Sequence, residues 1–63
     1  MQMDETDIDR LRARIGELVR ERQELRAAGA GHGRLERNRR RLAYSQSELT
    51  RAFIALYASA GTT

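Results

Sequence analysis

Arginine is the residue type that could carry most of the chemistry of this chain. The segment from Arg34 to Leu49, RLERNRRRLAYSQSEL, has five arginines among its first eight residues. A guanidinium group presents a planar fork of N–H donors, so a cluster of them can bind carboxylates or phosphates. The partners that suit this chemistry are an acidic protein surface and the backbone of a nucleic acid.

The positive charge of the chain is concentrated in this segment. All twelve basic residues are arginines, and nine acidic residues leave a net charge of +3. Residues 34–41 hold five arginines and one glutamate, a charge of +4, whereas residues 1–26 carry −1 and residues 42–63 carry zero. The absence of lysine is consistent with a codon preference or with a functional use of arginine, and a codon preference would not produce this local excess of charge. We therefore expect an anionic partner.

Helical spacing predicts how the candidate binding residues are displayed. Positions three and four apart are neighbours on a helix, so the outward side of the second helix carries one polar strip. The predicted strip consists of Arg37, Arg40, Arg41, Tyr44 and Arg51. An apolar contact formed by Ile54 and Tyr57 follows it near the C-terminus.

Other kinds of site have little support in the sequence. The chain has no cysteine and a single histidine, His32, so a metal site is not expected. It has no glycine-rich phosphate loop after a strand and no nucleophile with a matching base, so we predict no cofactor and no enzymatic activity. No apolar run of about 18 residues is present, and the acidic start does not resemble a signal peptide. A cytoplasmic protein without a membrane span is expected.

The elements that position these residues are two helices. Proline is absent and helix-forming residues dominate. The sequence predicts one all-α domain over residues 1–63, with helix 1 at about 7–27, a glycine-rich turn at 28–33 and helix 2 at about 34–60. His32 is expected in the turn, exposed to solvent. A short turn favours antiparallel packing.

Apolar residues at helical spacing predict the core and any dimer contact. The predicted set is Ile8, Leu11, Ile15, Leu18, Val19 and Leu25 on helix 1, with Leu35, Leu42, Leu49, Phe53 and Leu56 on helix 2. Polar residues interrupt both stripes, and Arg22, Asn38 and Gln46 are predicted to form a polar layer.

A chain this short cannot cover both sides of its apolar stripes. Because the chain has no cysteine and no expected metal site, self-association is the remaining way to stabilise the fold. We predict a homodimer in which two hairpins form a four-helix bundle.

Two short segments resemble enzyme families. LVRERQEL, residues 18–25, resembles the end of the first helix of the all-helical chorismate mutases, which implies that Arg22 would grip substrate carboxylates. The chain has no lysine to match that family's essential lysine, and it has no third helix. SQSELT, residues 45–50, is similar to the SQELD segment of the two-helix aspartyl-phosphate phosphatases of sporulation control, which implies a role for Gln46. Thr50 replaces the acid of that motif.

The function predicted from these observations is that of a small non-enzymatic regulator or adaptor. It would bind a protein with an acidic surface through helix 2. The alternative is a nucleic-acid-binding accessory protein that uses the arginines of residues 34–41. A phosphatase-like regulator and a truncated chorismate mutase-like protein are minor alternatives.

Overall fold

The chain folds into two α-helices that pack against each other. The computed structural model describes the backbone of residues 5–61 and the side chains of residues 5–58. Helix α1 spans Glu5–Ala27 and helix α2 spans His32–Gly61. The predicted all-helical hairpin is confirmed, while residues 1–4 and 62–63 of the predicted domain lie outside the described residues.

The chain reverses its direction at one glycine. Gly29 is the only glycine of the described chain with a positive φ, at 70°. Its N–H donates to the carbonyl of Arg26 at 3.1 Å, and the N–H of Ala30 donates to the carbonyl of Leu25 at 2.9 Å. This pair of bonds is the Schellman motif. It pairs two of the last carbonyls of α1, and it requires a left-handed backbone conformation at the residue after the helix, which here is Gly29.

Helix α2 begins earlier than predicted. The N–H of Leu35 donates to the carbonyl of Gly31 at 3.3 Å, so Gly31 caps the helix and His32 is its first residue. His32 is exposed, but it does not lie in the turn as expected. The prediction counted every glycine of the segment as a turn residue, whereas Gly33 accepts helical geometry.

Small and medium-sized side chains are the buried residues of α2, along the line where it packs against α1. On α2 the buried residues are Asn38, Ser45 and Ala52, which repeat at intervals of seven. Ile8 and Leu18 are the buried apolar residues of α1. We call this line the seam. Since small residues fill it on α2, the leucines at 35, 42, 49 and 56 lie at its edge and are half-buried.

Two residues predicted for the interior or a dimer contact are exposed on the single hairpin. Val19 keeps 41% of its surface exposed, and Gln46 is exposed as well. Leu18 and Val19 are adjacent on a helix that turns about 100° per residue, so only one of them can point at α2. Gln46 follows the buried Ser45 and is turned away from α1 for the same reason.

Candidate interaction surfaces

Two long surfaces flank the seam, one polar and one apolar. The polar groove is lined by side chains of both helices, principally Arg14, Glu21, Arg37, Arg41, Tyr44 and Glu48. The apolar face lies on the other side and consists of half-buried or exposed residues at helical spacing, namely Ile15, Val19, Leu35, Leu42, Leu49, Phe53 and Leu56.

A hydrogen-bonded network fastens the polar groove to the seam. The buried Asn38 donates from Nδ2 to the carbonyl of Leu18 and to a carboxylate oxygen of Glu21, both at 3.0 Å. Glu21 also lies 3.9 Å from a guanidinium nitrogen of Arg41. Because both partners of Nδ2 are acceptors, the orientation of the amide is fixed. Oδ1 has no hydrogen-bond partner among the described residues.

The predicted polar layer is therefore assembled differently. Asn38 belongs to the interior, as predicted, but it bonds to Leu18 and Glu21 and has no hydrogen bond to Arg22. Arg22 is half-buried and forms no ion pair with another described residue. Gln46 takes no part, because it lies on the solvent side of α2.

Glu36 neutralises part of the arginine cluster. Its carboxylate accepts two hydrogen bonds from Arg39, at 2.6 and 3.0 Å, and lies 3.5 Å from Nε of Arg40. The hydrogen bonds from Arg39 lower the pKa of Glu36 to about 2, and the positive charges of Arg39, Arg40 and His32 act in the same direction. Arg37 forms no ion pair with a described residue, so its charge is available to a ligand.

Tyr44 offers an aromatic surface beside these charges. It is 68% exposed, and the interaction of its hydroxyl with the Glu48 carboxylate raises the pKa of Tyr44 above its usual value. The part of the groove between Tyr44 and Leu11 holds about 270 Å³. This is below the roughly 300–1,000 Å³ of small-molecule sites and suits a single protruding side chain.

The predicted binding strip is divided between two surfaces. Arg37, Arg40, Arg41 and Tyr44 line the polar groove. Arg51 instead borders a shallow depression on the outer side of α2 with Ser47 and Thr50 among its neighbours.

The aromatic residues near the C-terminal end of α2 extend the apolar face. Tyr57 is 63% exposed, and its ring stacks on that of Phe53 at 5.7 Å with an angle of 8°. The guanidinium carbon of Arg12 lies 5.3 Å from the centre of the Phe53 ring, a cation–π contact. Ile54, the residue after Phe53, is 61% exposed.

Sequence reasoning missed the contribution of helix α1 to the groove. Arg14 and Glu21 were not among the candidate binding residues, yet they line the groove together with Arg41. The sequence does contain a signal for this second stripe on α1. Its members recur at spacings of three and four residues, which places them together on one side of the helix: Leu11, Arg14, Leu18, Glu21 and Leu25.

Metal sites, membrane spans and comparisons with known proteins add no functional assignment. Within residues 5–58 no group of three or more His, Cys, Asp or Glu side chains is placed to hold a metal ion. Neither described helix combines the length and the apolar character that crossing a membrane requires. Comparisons with protein families, with curated proteins and with solved structures found no match.

Proposed function

We propose that this chain is a non-enzymatic interaction module. Two copies pair through the apolar face into a four-helix bundle, and helix α2 binds a partner protein that has an acidic surface. The observation that carries the proposal is the large amount of apolar side chain that one hairpin leaves uncovered.

The accessible surface supports self-association. One chain exposes 5161 Å², whereas a compact monomer of 7.2 kDa is expected to expose about 4,100 Å². The excess of about 1,000 Å² is similar to the roughly 800 Å² that each partner buries in a stable interface. The hairpin is a rod of 52 × 17 × 16 Å with a radius of gyration of 14.8 Å, against about 11 Å for a compact chain of this length.

The position of the uncovered residues supports one continuous interface. Val19 on α1 and Leu42 on α2 occupy the same side of the seam, and Ile15, Leu49 and Phe53 continue that side. A second copy would bury all of them at once, which is the way in which four-helix bundles complete their cores.

The polar groove supports a protein partner in preference to a nucleic acid. Its arginines alternate with Glu21 and Glu48, so the lining has both signs of charge. A uniformly negative phosphate backbone would meet repulsion from these carboxylates, whereas a protein surface can match both signs. Tyrosine and arginine are also the residues that most often anchor protein interfaces.

Nucleic-acid binding is retained as a second candidate on one observation. Arg34 and Arg37 form no ion pair with a described residue and both line the groove near the turn. If they bind phosphates, affinity for a single-stranded or duplex oligonucleotide will fall steeply between low and physiological salt, and Arg34→Ala with Arg37→Ala will flatten that dependence. An absence of salt-dependent binding removes this candidate.

Sedimentation equilibrium tests the self-association. We expect a mass of twice 7.2 kDa in the micromolar range, and Val19→Asp should weaken the dimer by about 100-fold or more, because an unpaired carboxylate would be buried. Ala13→Asp is the matched control, since it adds the same charge at an exposed position of the same helix. A wild-type monomer at about 100 µM would contradict the proposal.

A further inference from the structure

The two ends of the hairpin differ in charge. The half that contains the turn, residues 17–45, has eight arginines and four acidic residues, which leaves +4. The opposite half, residues 5–16 and 46–58, has four arginines and four acidic residues and is neutral. The acidic residues Glu5, Asp7 and Asp9 begin α1 at that neutral end.

A half-buried arginine lies on the apolar side of α1 near the turn. Arg22 follows Ile8 and Ile15 at intervals of seven, so it continues the stripe to which they belong. It is half-buried and has no ion pair within residues 5–58. Covering this side with another hairpin removes water from the guanidinium group, so the covering surface has to supply a partner.

Two hairpins can meet face to face in two symmetric ways. If the two-fold axis runs along the helices, the turns lie together, both +4 halves become neighbours, and Arg22 meets its own copy. If the axis is perpendicular to the helices, each +4 half lies beside a neutral half. Like charges held together are unfavourable, so the charge distribution separates the two arrangements.

We infer that the chain pairs with a second copy in the antiparallel arrangement, with the turn of each hairpin beside the open end of the other. This inference rests on the proposed dimer and specifies its geometry. With 1.5 Å per residue, a two-fold axis near the middle of the rod brings Arg22 of one copy to the level of Asp9 and Ile8 of the other. The acidic start of α1, with Glu5, Asp7 and Asp9, then lies beside the turn half of the second chain, which contains Arg22 and the arginine cluster.

Distances between spin labels test this arrangement directly. The chain has no cysteine, so a single substitution labels one position per copy. With His32→Cys, at the turn, we expect label separations of about 40 Å or more in the antiparallel dimer and roughly 15–30 Å in the parallel one. Ser47→Cys is the control, because it lies near the middle of the rod and gives similar short distances in both.

The outcomes distinguish this inference from the proposed function. Short His32 distances in a species of dimeric mass would overturn the antiparallel arrangement and leave the dimer standing. A monomeric mass would overturn both.

Charge reversal provides an independent readout. Arg22→Glu should weaken the antiparallel dimer by about threefold to tenfold, because it places a carboxylate near the acidic start of the second chain's α1. In a parallel dimer the same substitution would reduce the repulsion between the two +4 halves and strengthen the association, and that result would also overturn the inference.

Discussion

The polar groove and the apolar face run along the same two helices, but they differ in how far one chain satisfies the contacts of their side chains. In the groove, Asn38 bonds to Glu21, which also lies beside Arg41, so these three side chains find partners within one chain. On the apolar face, Val19 and Leu42 remain partly exposed. The polar side is thus partly paired within a single hairpin, whereas the apolar side is the surface through which we propose that a second copy binds.

Two adjacent residues give the largest expected contrast between the seam and the apolar face. Leu18 is 4% exposed, and Leu18→Ala should lower the free energy of unfolding by about 2–5 kcal/mol, because it leaves a cavity between the helices. Val19→Ala should have a smaller effect on unfolding and a larger effect on the dissociation constant of the dimer. Urea denaturation and sedimentation at matched concentrations measure the two quantities. Equal effects of both substitutions on both quantities would remove the distinction between seam and face.

Two amides on helix α2 give a contrast of intermediate size. Asn38→Ala removes two hydrogen bonds, one of them to a carboxylate, and should lower the free energy of unfolding by about 1–3 kcal/mol. Gln46→Ala is the matched control and should stay within about 0.5 kcal/mol, because Gln46 is exposed. A loss at Gln46 as large as that at Asn38 would restore the polar layer predicted from the sequence.

The smallest effect is expected from the ion pairs of Glu36. Its pKa in the folded chain is lowered from 4.5 to about 2, chiefly by the hydrogen bonds from Arg39. A lowered pKa stabilises the fold above pH 4.5, and this contribution disappears as the pH falls towards 2. NMR titration of the Glu36 carboxyl group should give a midpoint near 2, and Arg39→Gln should raise it. A midpoint near 4.5 in the unmodified chain would show that Arg39 does not hold the carboxylate.

The sequence was sufficient for the helices but not for the exact orientation of their faces. Leucines at intervals of seven located the side of α2 that meets α1, yet they could not show that Ser45 and Ala52 would form the line of closest approach. Hydrophobicity favours leucine in the interior, whereas close contact between two backbones favours small residues. The same spacing placed Leu18 and Val19 together in one set of core or dimer residues, and it could not show that Leu18 alone points at α2 while Val19 stays partly exposed on the single hairpin.

The candidate site was predictable only where its contacts are local. Glu36, Arg39 and Arg40 are three and four residues apart on one helix, so their ion pairs follow from sequence spacing. The approach of Glu21 to Arg41 depends on the axial alignment of two helices across the turn, and no local pattern specifies it. The groove therefore became visible only when both helices were in place.

The reversal at Gly29 also bears on how quickly the protein assembles. The two helices are neighbours in sequence, and four residues separate Ala27 from His32. Folds dominated by such local contacts reach their native topology in microseconds to milliseconds. A hairpin can therefore form before it meets another, and assembly of the proposed bundle would be a docking of preformed rods whose rate is set by molecular encounter.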